Sequence, residues 1–344
     1  MSLAISSADL GPSIRRALAG VHATEQEMFE TTSALLAAEA TPAQVAALLI
    51  ALAAKGETAD ELTGAAAALR AHCVALECHH HELLDVCGTG GDGCGTFNIS
   101  TAVAFVVAGA GVPVAKHGNR AMSSRCGSAD VLEALGVDIT MPAAKAANTL
   151  NYLGIAFLSA QAYHPAMKRV AGVRREIGVR TIFNLIGPLA NPARPAHQVV
   201  GVAHPRSLNI VAQALMNLGC RSGAVVHSRD GLDEISISAP TDVIEWNGEA
   251  RSDYSIDPSE YGFVPVARDA LAGGDAPHNA ALLRAVLDGS SGPHRDVVVL
   301  NAALALKVAG MAPTLHTGIT VARKAIDRGA ASAKLDALIR ASAP

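Results

Sequence analysis

The sequence predicts an α/β protein: a small all-helical domain joined to a larger α/β domain with a central, mainly parallel sheet flanked by helices. Three observations carry that expectation. The first eighty residues hold helix-capping patterns and no strand signal, whereas from Leu83 onward short β-type runs alternate with helix-length segments. The chain is also 50% hydrophobic with only 3% aromatic residues, so alanine and branched aliphatics must fill the interior. That composition suits close-packed helices on a buried parallel sheet, and 344 residues give ample core.

In chain order, Thr24 and Glu27 form a capping-box pattern ahead of an amphipathic run to about Ala40. Thr41 and Pro42 supply an N-cap and an N1 proline for a helix closed by Gly56, and Thr58 with Glu61 repeats the capping box for a helix reaching Ala71. The segment Val45–Ala54 is apolar almost all round, which predicts a buried helix or an interface. Strands are predicted at Leu83–Val86, Val112–Ala115, Ile155–Leu158, Gln198–Val202 and Ala224–His227. Between them lie helical patterns at Ser100–Ala110, Ser128–Leu135, Pro142–Leu153, His164–Gly178 and Arg206–Leu218. Glu234–Ser238 and Asp242–Trp246, separated by a proline turn, read as an appended antiparallel hairpin. Helices return at Pro277–Leu287, Asp296–Val308 and Gly318–Arg328 and run on to the end.

Composition excludes several classes of function. A net charge of −4 with no domain-wide basic excess speaks against a nucleic-acid binder. The longest charge-free apolar run, Thr101–Ala115, is shorter than the roughly 20 residues of a membrane span, and no secretory signal pattern opens the chain. Six cysteines in such a chain suggest reduced thiols and a cytoplasmic location. Cys78-His79-His80-His81, near His72, Cys73 and Cys87, matches no zinc spacing and reads as a solvated histidine-rich loop.

The most informative stretch is Asp85–Thr101. Gly88, Gly90, Gly91 and Gly93 follow the first predicted strand, and Asn98-Ile99-Ser100-Thr101 opens the next helix. Glycines let backbone N–H groups close on phosphate oxygens, and a helix N-terminus adds partial positive charge. The loop has no Walker A lysine and runs on too far for a dinucleotide fingerprint, so it predicts phosphate binding of another kind. Directly after the second predicted strand comes Lys116-His117-Gly118-Asn119-Arg120-Ala121-Met122-Ser123-Ser124. Ligands of open α/β sheets bind beyond the carboxyl ends of strands, so this loop belongs beside the first. Cys126-Gly127-Ser128 then begins a helix, with Ser128 as N-cap or phosphate ligand.

Two further constellations admit two readings each. Asp230-Gly231-Leu232-Asp233-Glu234 suits an exposed acidic turn or, given two phosphate-type loops, hard oxygen ligands for Mg²⁺ shared with substrate phosphates. Arg174, about three turns beyond His164-Pro165, is either surface charge or a guanidinium that pairs bidentately with a substrate carboxylate.

Taken together these motifs resemble the anthranilate phosphoribosyltransferase family. The matching elements are Gly88–Asp92, Thr96–Thr101, Lys116–Arg120, Ser128–Gly136, His164–Lys168, Arg180–Pro188 and Asp230–Glu234, which stand in family order across roughly Leu83–Ser238. Gly172 stands where a proline is common, and Cys126 replaces a small polar residue. The resemblance implies a helical domain of residues 1–80, joined by mid-chain helices at about 164–195, and an α/β domain over the rest of 81–344. It implies a cytoplasmic homodimer contacting through the helical domain. It also implies transfer of phosphoribosyl from 5-phosphoribosyl 1-pyrophosphate to the amine of anthranilate, with Mg²⁺ as cofactor and no nucleic-acid or membrane partner.

The same resemblance implies roles for individual residues. Gly88, Gly91, Asp92, Thr96, Asn98, Ile99, Ser100, Thr101, Lys116 to Ser124 and Ser128 would line the donor. Ser100, Asp233 and Glu234 would hold the metal, and Gly88, Asn119, His164 and Arg174 would meet anthranilate. Lys116 and His117 are the candidate catalytic residues. Pyrimidine nucleoside phosphorylases share the architecture and a similar glycine loop, but Asn119-Arg120 and the Asp233-Glu234 pair disfavour that reading. A nucleic-acid-binding relative on the same fold is disfavoured by the same acidic pair and the negative charge.

Overall fold

The computed structural model describes residues 9–37, 40–121 and 124–343. Four helices come first: α1 (Gly11–Leu18), α2 (Glu25–Leu36), α3 (Pro42–Lys55) and α4 (Ala59–Ala71). The predicted capping boxes at Thr24/Glu27 and Thr58/Glu61 are both formed, and Thr41 with Gln44 makes a third. α2 stops at Leu36, short of the expected Ala40, and residues 38 and 39 lie outside the described part of the chain. Glu61 does more than cap. Its fully buried carboxylate accepts from Ala23 N–H at 2.9 Å and meets Lys55 Nζ at 2.8 Å, tying the α1–α2 connection to α3 and α4. A buried ion pair with its remaining lone pairs satisfied is the form such a pair must take.

The apolar α3 is two-sided. Val45, Leu48, Leu49, Ala51 and Leu52 are buried, whereas Ala43, Ala47, Ile50 and Ala54 face outward at helical spacing.

The sheet has seven strands among the described residues, in the order β3-β2-β1-β4-β5-β6-β7. β1 (Leu84–Gly88), β2 (Val114–Gly118), β3 (Ile155–Ser159), β4 (His197–Gly201) and β5 (Ser222–Ser228) are mutually parallel. β6 (Thr241–Asn247) and β7 (Ala250–Ile256) complete it as an antiparallel hairpin. The five predicted parallel strands are present, each within two residues of its expected start.

The predicted hairpin is corrected. Glu234–Ser238 forms no strand; the partner of β6 is β7, across a two-residue turn with Gly248 at φ +60°. The backbone of Ile235 is bonded instead to the Asn301 side chain, at 2.9 Å to its N–H and 2.8 Å to its carbonyl. β7 has no strand signature in the sequence, because Arg251, Ser252 and Asp253 leave no apolar alternation on this exposed edge.

Helices connect the strands: α5 (Ile99–Gly109), α6 (Ser128–Ala134), α7 (Ala143–Leu153), α8 (Ala160–Tyr163), α9 (Lys168–Ile177), α10 (Ile182–Leu185) and α11 (Ser207–Asn217). The continuous helix expected over His164–Gly178 is broken. His164 has φ −121°, a 3₁₀ turn spans Pro165–Met167, and α9 begins only at Lys168. Pro165 lacks the N–H that would continue a helix across this point. The chain closes with α12 (Ala276–Leu287), α13 (Pro293–Val308), α14 (Leu315–Asp327) and α15 (Ala330–Ser342).

Two apolar clusters hold the sheet. One face packs on α5 and the C-terminal helices, with α13 almost wholly buried. The other packs on α11 and on α1–α4, joined by Val170, Val173, Ile182, Phe183 and Ile186 from the mid-chain segment. β1 leads to β2 on one side and β4 leads to β5 on the other, so a crevice opens at the carboxyl ends of β1 and β4.

Candidate active site

The glycine loop leaves β1 at Gly88. Gly90, Gly91 and Gly93 have φ of +65°, +75° and +70°, a left-handed run that side chains would strain. Thr89 N–H donates to Gly201 O at 2.9 Å, which fixes the loop across the end of β4. Arg180 Nη1 donates to Gly90 O at 2.8 Å and to Gly91 O at 3.0 Å, so a residue following α9 clamps the loop. Arg180 opens the Arg180–Pro188 motif, but a single arginine after a helix-ending glycine carries no local signal of this role.

The acidic motif meets this loop. Asp233 Oδ2 accepts from Gly90 N–H at 2.8 Å, and Glu234 Oε1 accepts from Ser100 N–H at 2.9 Å, at the N-terminus of α5. A carboxylate there is favoured by the helix dipole. Lys116 Nζ, on the buried strand β2, reaches Ser100 Oγ at 3.3 Å and Val86 O at 2.6 Å. The three expected metal ligands, Ser100, Asp233 and Glu234, are therefore brought together with Lys116. Burial raises the pKa of Asp233 above the ordinary carboxyl range, with Asp92 adding like charge; burial and Asp233 do the same to Glu234.

That donor set fits a hard divalent cation, because crowded carboxylates and a hydroxyl lack a full counter-charge in the protein itself. Among the described residues no cluster of three or more His, Cys, Asp or Glu side chains is arranged to hold a metal. A divalent cation held by so few protein oxygens would take its remaining ligands from substrate oxygens and water. In the Cys78–His81 loop His79 is exposed, with its N–H on Asn151 Oδ1 at 2.9 Å.

The second loop is folded on itself. Asp130 accepts from Ala121 N–H and Gly127 N–H, both at 2.8 Å, and Ser128 Oγ donates to Asn119 O at 3.3 Å. Ser124 Oγ bonds Cys126 O at 3.4 Å. Arg120 is turned to α6, where it pairs with Asp130 at 3.0 Å and Glu133 at 2.8 Å. Met122 and Ser123 lie outside the described residues. Gly118 is required by space, since a Cβ there would fall 2.2 Å from Ser128 Oγ.

Of the other expected donor residues, Asp92 accepts from Cys94 N–H at 3.1 Å and Thr96 bridges Ala272. Asn98 is held between Cys126 O at 3.2 Å and Asn279 at 2.9 Å. Ile99 and Thr101 are buried in the first turn of α5.

His117 and His164 come from motifs far apart in sequence, yet their rings stack edge-on with centroids 5.2 Å apart. His117 Nε2 and both ring nitrogens of His164 have no hydrogen-bond partner among the described residues. Burial drives His117 down to about 3 and His164 to about 4, so both are neutral at pH 7. Arg174, half-buried on α9, lies over the Phe183 ring at 5.5 Å, and among the described residues no carboxylate pairs with it.

Fold and site define a glycosyltransferase with a helical bundle and an α/β domain. Residues 12–73 match the glycosyl transferase family helical bundle domain and residues 80–332 match the glycosyl transferase family a/b domain. The anthranilate phosphoribosyltransferase of Moorella thermoacetica is 51% identical, over 95% of this chain and 96% of the relative. That of Thermomicrobium roseum is 52% identical, over 96% of each. The crystal structure of anthranilate phosphoribosyltransferase from Thermus thermophilus superposes with a TM-score of 0.91 at 43% identity, covering 96% of this chain and 98% of that one. The Saccharomyces cerevisiae enzyme in complex with phosphoribosyl pyrophosphate and Mg gives 0.90 at 25% identity, covering 98% of both chains. The chain belongs to the anthranilate phosphoribosyltransferase family.

Proposed function

We propose that this cleft transfers the phosphoribosyl group of 5-phosphoribosyl 1-pyrophosphate to the amine of anthranilate, releasing pyrophosphate, as a step of tryptophan biosynthesis. The observation that carries the reading is the meeting of Asp233 and Glu234 with the glycine loop, the α5 N-terminus and Lys116. That arrangement suits a polyanionic donor bound with a divalent cation.

In this reading the glycine loop and the Lys116–Ser128 loop hold the donor. Mg²⁺, held by Asp233, Glu234 and Ser100 with donor oxygens, would neutralise charge on the departing pyrophosphate. Arg174 binds the anthranilate carboxylate; its partial burial strengthens such a pair. Gly88 and Asn119 stand where the two substrates meet.

The C1–O bond to pyrophosphate breaks as the C1–N bond forms, so positive charge grows on the ribose and negative charge on the leaving oxygens. Lys116 and the backbone N–H groups stabilise that charge most in the transition state. An aromatic amine has a usable lone pair before it loses a proton. The proton leaves afterwards, to the neutral His117 Nε2 or to water. One charge-assisted contact supplies about 1.5–3 kcal/mol, whereas a millionfold acceleration needs about 8 kcal/mol. Several contacts together are therefore required.

The division of labour between residues 1–80 with the 164–195 segment and the remainder belongs to the same proposal, and the packing of α9 and α10 on α3 supports it. So does a homodimer through the helical domain, supported by the outward row Ala43, Ala47, Ile50 and Ala54. Among the described residues no helix is long and apolar enough to cross a membrane, and all six cysteines are free thiols, which supports the cytoplasm as the working compartment. The decisive experiment follows loss of anthranilate fluorescence with and without the donor and Mg²⁺. Consumption that needs neither, or phosphorolysis of thymidine or uridine in its place, would overturn the assignment.

A further inference from the structure

The sheet is not zipped evenly. β1–β4 and β2–β3 each keep five register pairs, whereas β1 and β2 share only Leu84↔Val114. Beyond that pair three backbone groups between the two strands, His117 N–H, Ala115 O and Val86 O, are met by side chains. His117 N–H donates to Asp85 Oδ1 at 3.2 Å, and Asn191 Nδ2 donates to Ala115 O and to Asp85 Oδ2, both at 2.8 Å. Lys116 Nζ reaches across to Val86 O at 2.6 Å. Asp85 and Asn191 are fully buried, and Lys116 and His117 nearly so. A carboxylate in such a place is costly unless each oxygen is bonded, and here each is.

We infer that Asp85 and Asn191 are positioning residues that hold the carboxyl half of β2 apart from β1 and so set where Lys116 and His117 stand in the cleft. The inference rests on the reading of Lys116 as a donor contact. An ordinary ladder would draw β2 against β1 and close the space from which Lys116 reaches Ser100. The wedge is also anchored from the other domain. Asn191 follows Leu189, whose carbonyl accepts from Arg70 Nε of α4 at 2.7 Å, and Asn191 Oδ1 accepts from Ala193 N–H at 2.9 Å. One chain of contacts thus runs from the helical domain through Asn191 and Asp85 to the backbone of His117.

The test compares Asp85→Asn, Asn191→Ala, Asn191→Asp and the swap Asp85→Asn/Asn191→Asp with Lys116→Met, on folded protein well below its melting temperature. Asp85→Asn and Asn191→Ala should lower kcat/KM for the donor about tenfold or more while leaving KM for anthranilate within about twofold. Amide exchange in segment 113–118 should quicken in the same variants, which reads the strand without any ligand. Asn191→Asp sets two carboxylates against each other, and the swap, which restores the amide–carboxylate contact but not the donor to Ala115 O, should recover only part of the donor use that Asn191→Asp loses. Should Asn191→Ala fail to fold, Asp85→Asn and the swap decide.

Variants that lose melting temperature but keep wild-type donor kinetics, beside a Lys116→Met that loses donor use, would overturn the positioning role alone. A Lys116→Met with wild-type donor KM would overturn both that role and the donor-site reading.

Discussion

Gly201 and Asp233 are in backbone contact: a Cβ on Gly201 would fall 1.5 Å from the Asp233 carbonyl oxygen. Gly88, the register partner of Gly201, approaches the same residue, and a Cβ there would lie 2.6 Å from Asp233 Oδ2. The acidic motif is therefore seated over the paired ends of β1 and β4 by two residues that have no side chain. Gly201→Ala must displace Asp233, and a displacement of about 1 Å at a reacting centre lowers rates about a hundredfold. Steady-state kinetics should show that loss with the circular dichroism spectrum retained; near-normal kcat/KM would mean that Asp233 tolerates movement.

Arg174 should act on one substrate only. Arg174→Ala removes a charge-assisted contact, so KM for anthranilate should rise about tenfold or more while KM for the donor stays close to wild type. Equal effects on both would remove Arg174 from the acceptor site.

The crowding of Asp233 and Glu234 predicts opposite effects with and without metal. Asp233→Asn with Glu234→Gln relieves like-charge repulsion, so the melting temperature in a chelator should rise. The same variant should lose the stabilisation that Mg²⁺ with donor gives the wild type. A metal-induced shift that survives both changes would place the cation elsewhere.

Acid should destabilise the protein through its two buried histidines. His117 and His164 titrate near 3 and 4 when folded, against about 6.5 in an unfolded chain, so the unfolded chain binds more protons between these values. Their contribution is complete above pH of about 6.5 and is lost as pH falls toward the folded values. Asp85 works in the opposite sense, because burial lifts it to about 6 and its protonation favours the folded state as pH falls through that value. Asp233 and Glu234, also lifted by burial, act in the same sense as Asp85, so the histidine contribution is read by difference: the urea midpoint of His164→Asn relative to wild type should rise as pH falls from 7 to 5. A difference that stays constant across that range would show that His164 is not held neutral by burial.

The outward face of α3 should govern assembly. Ile50→Glu places a charge in the exposed row Ala43, Ala47, Ile50 and Ala54, and sedimentation should then show a monomer in place of the dimer proposed for the wild type. An unchanged mass would move the interface away from α3.

By itself the sequence determined the caps at Thr24, Thr41 and Thr58, the five parallel strands, the glycine loop and the acidic pair. Those features are set by neighbours in the chain: a hydroxyl three residues before a glutamate, or an apolar run between turns. It did not determine the partner of β6, because Asn301 claims the Ile235 backbone from 66 residues away, nor the break at His164, where Pro165 and tertiary packing outweigh helical periodicity. Only the tertiary structure decided that His117 stacks on His164, that Arg180 clamps the glycine loop, that Arg120 turns to α6, and that Asp85 and Asn191 part β1 from β2. All but the Arg120 pair join residues distant in sequence, through burial and hydrogen bonding that exist only in the folded chain.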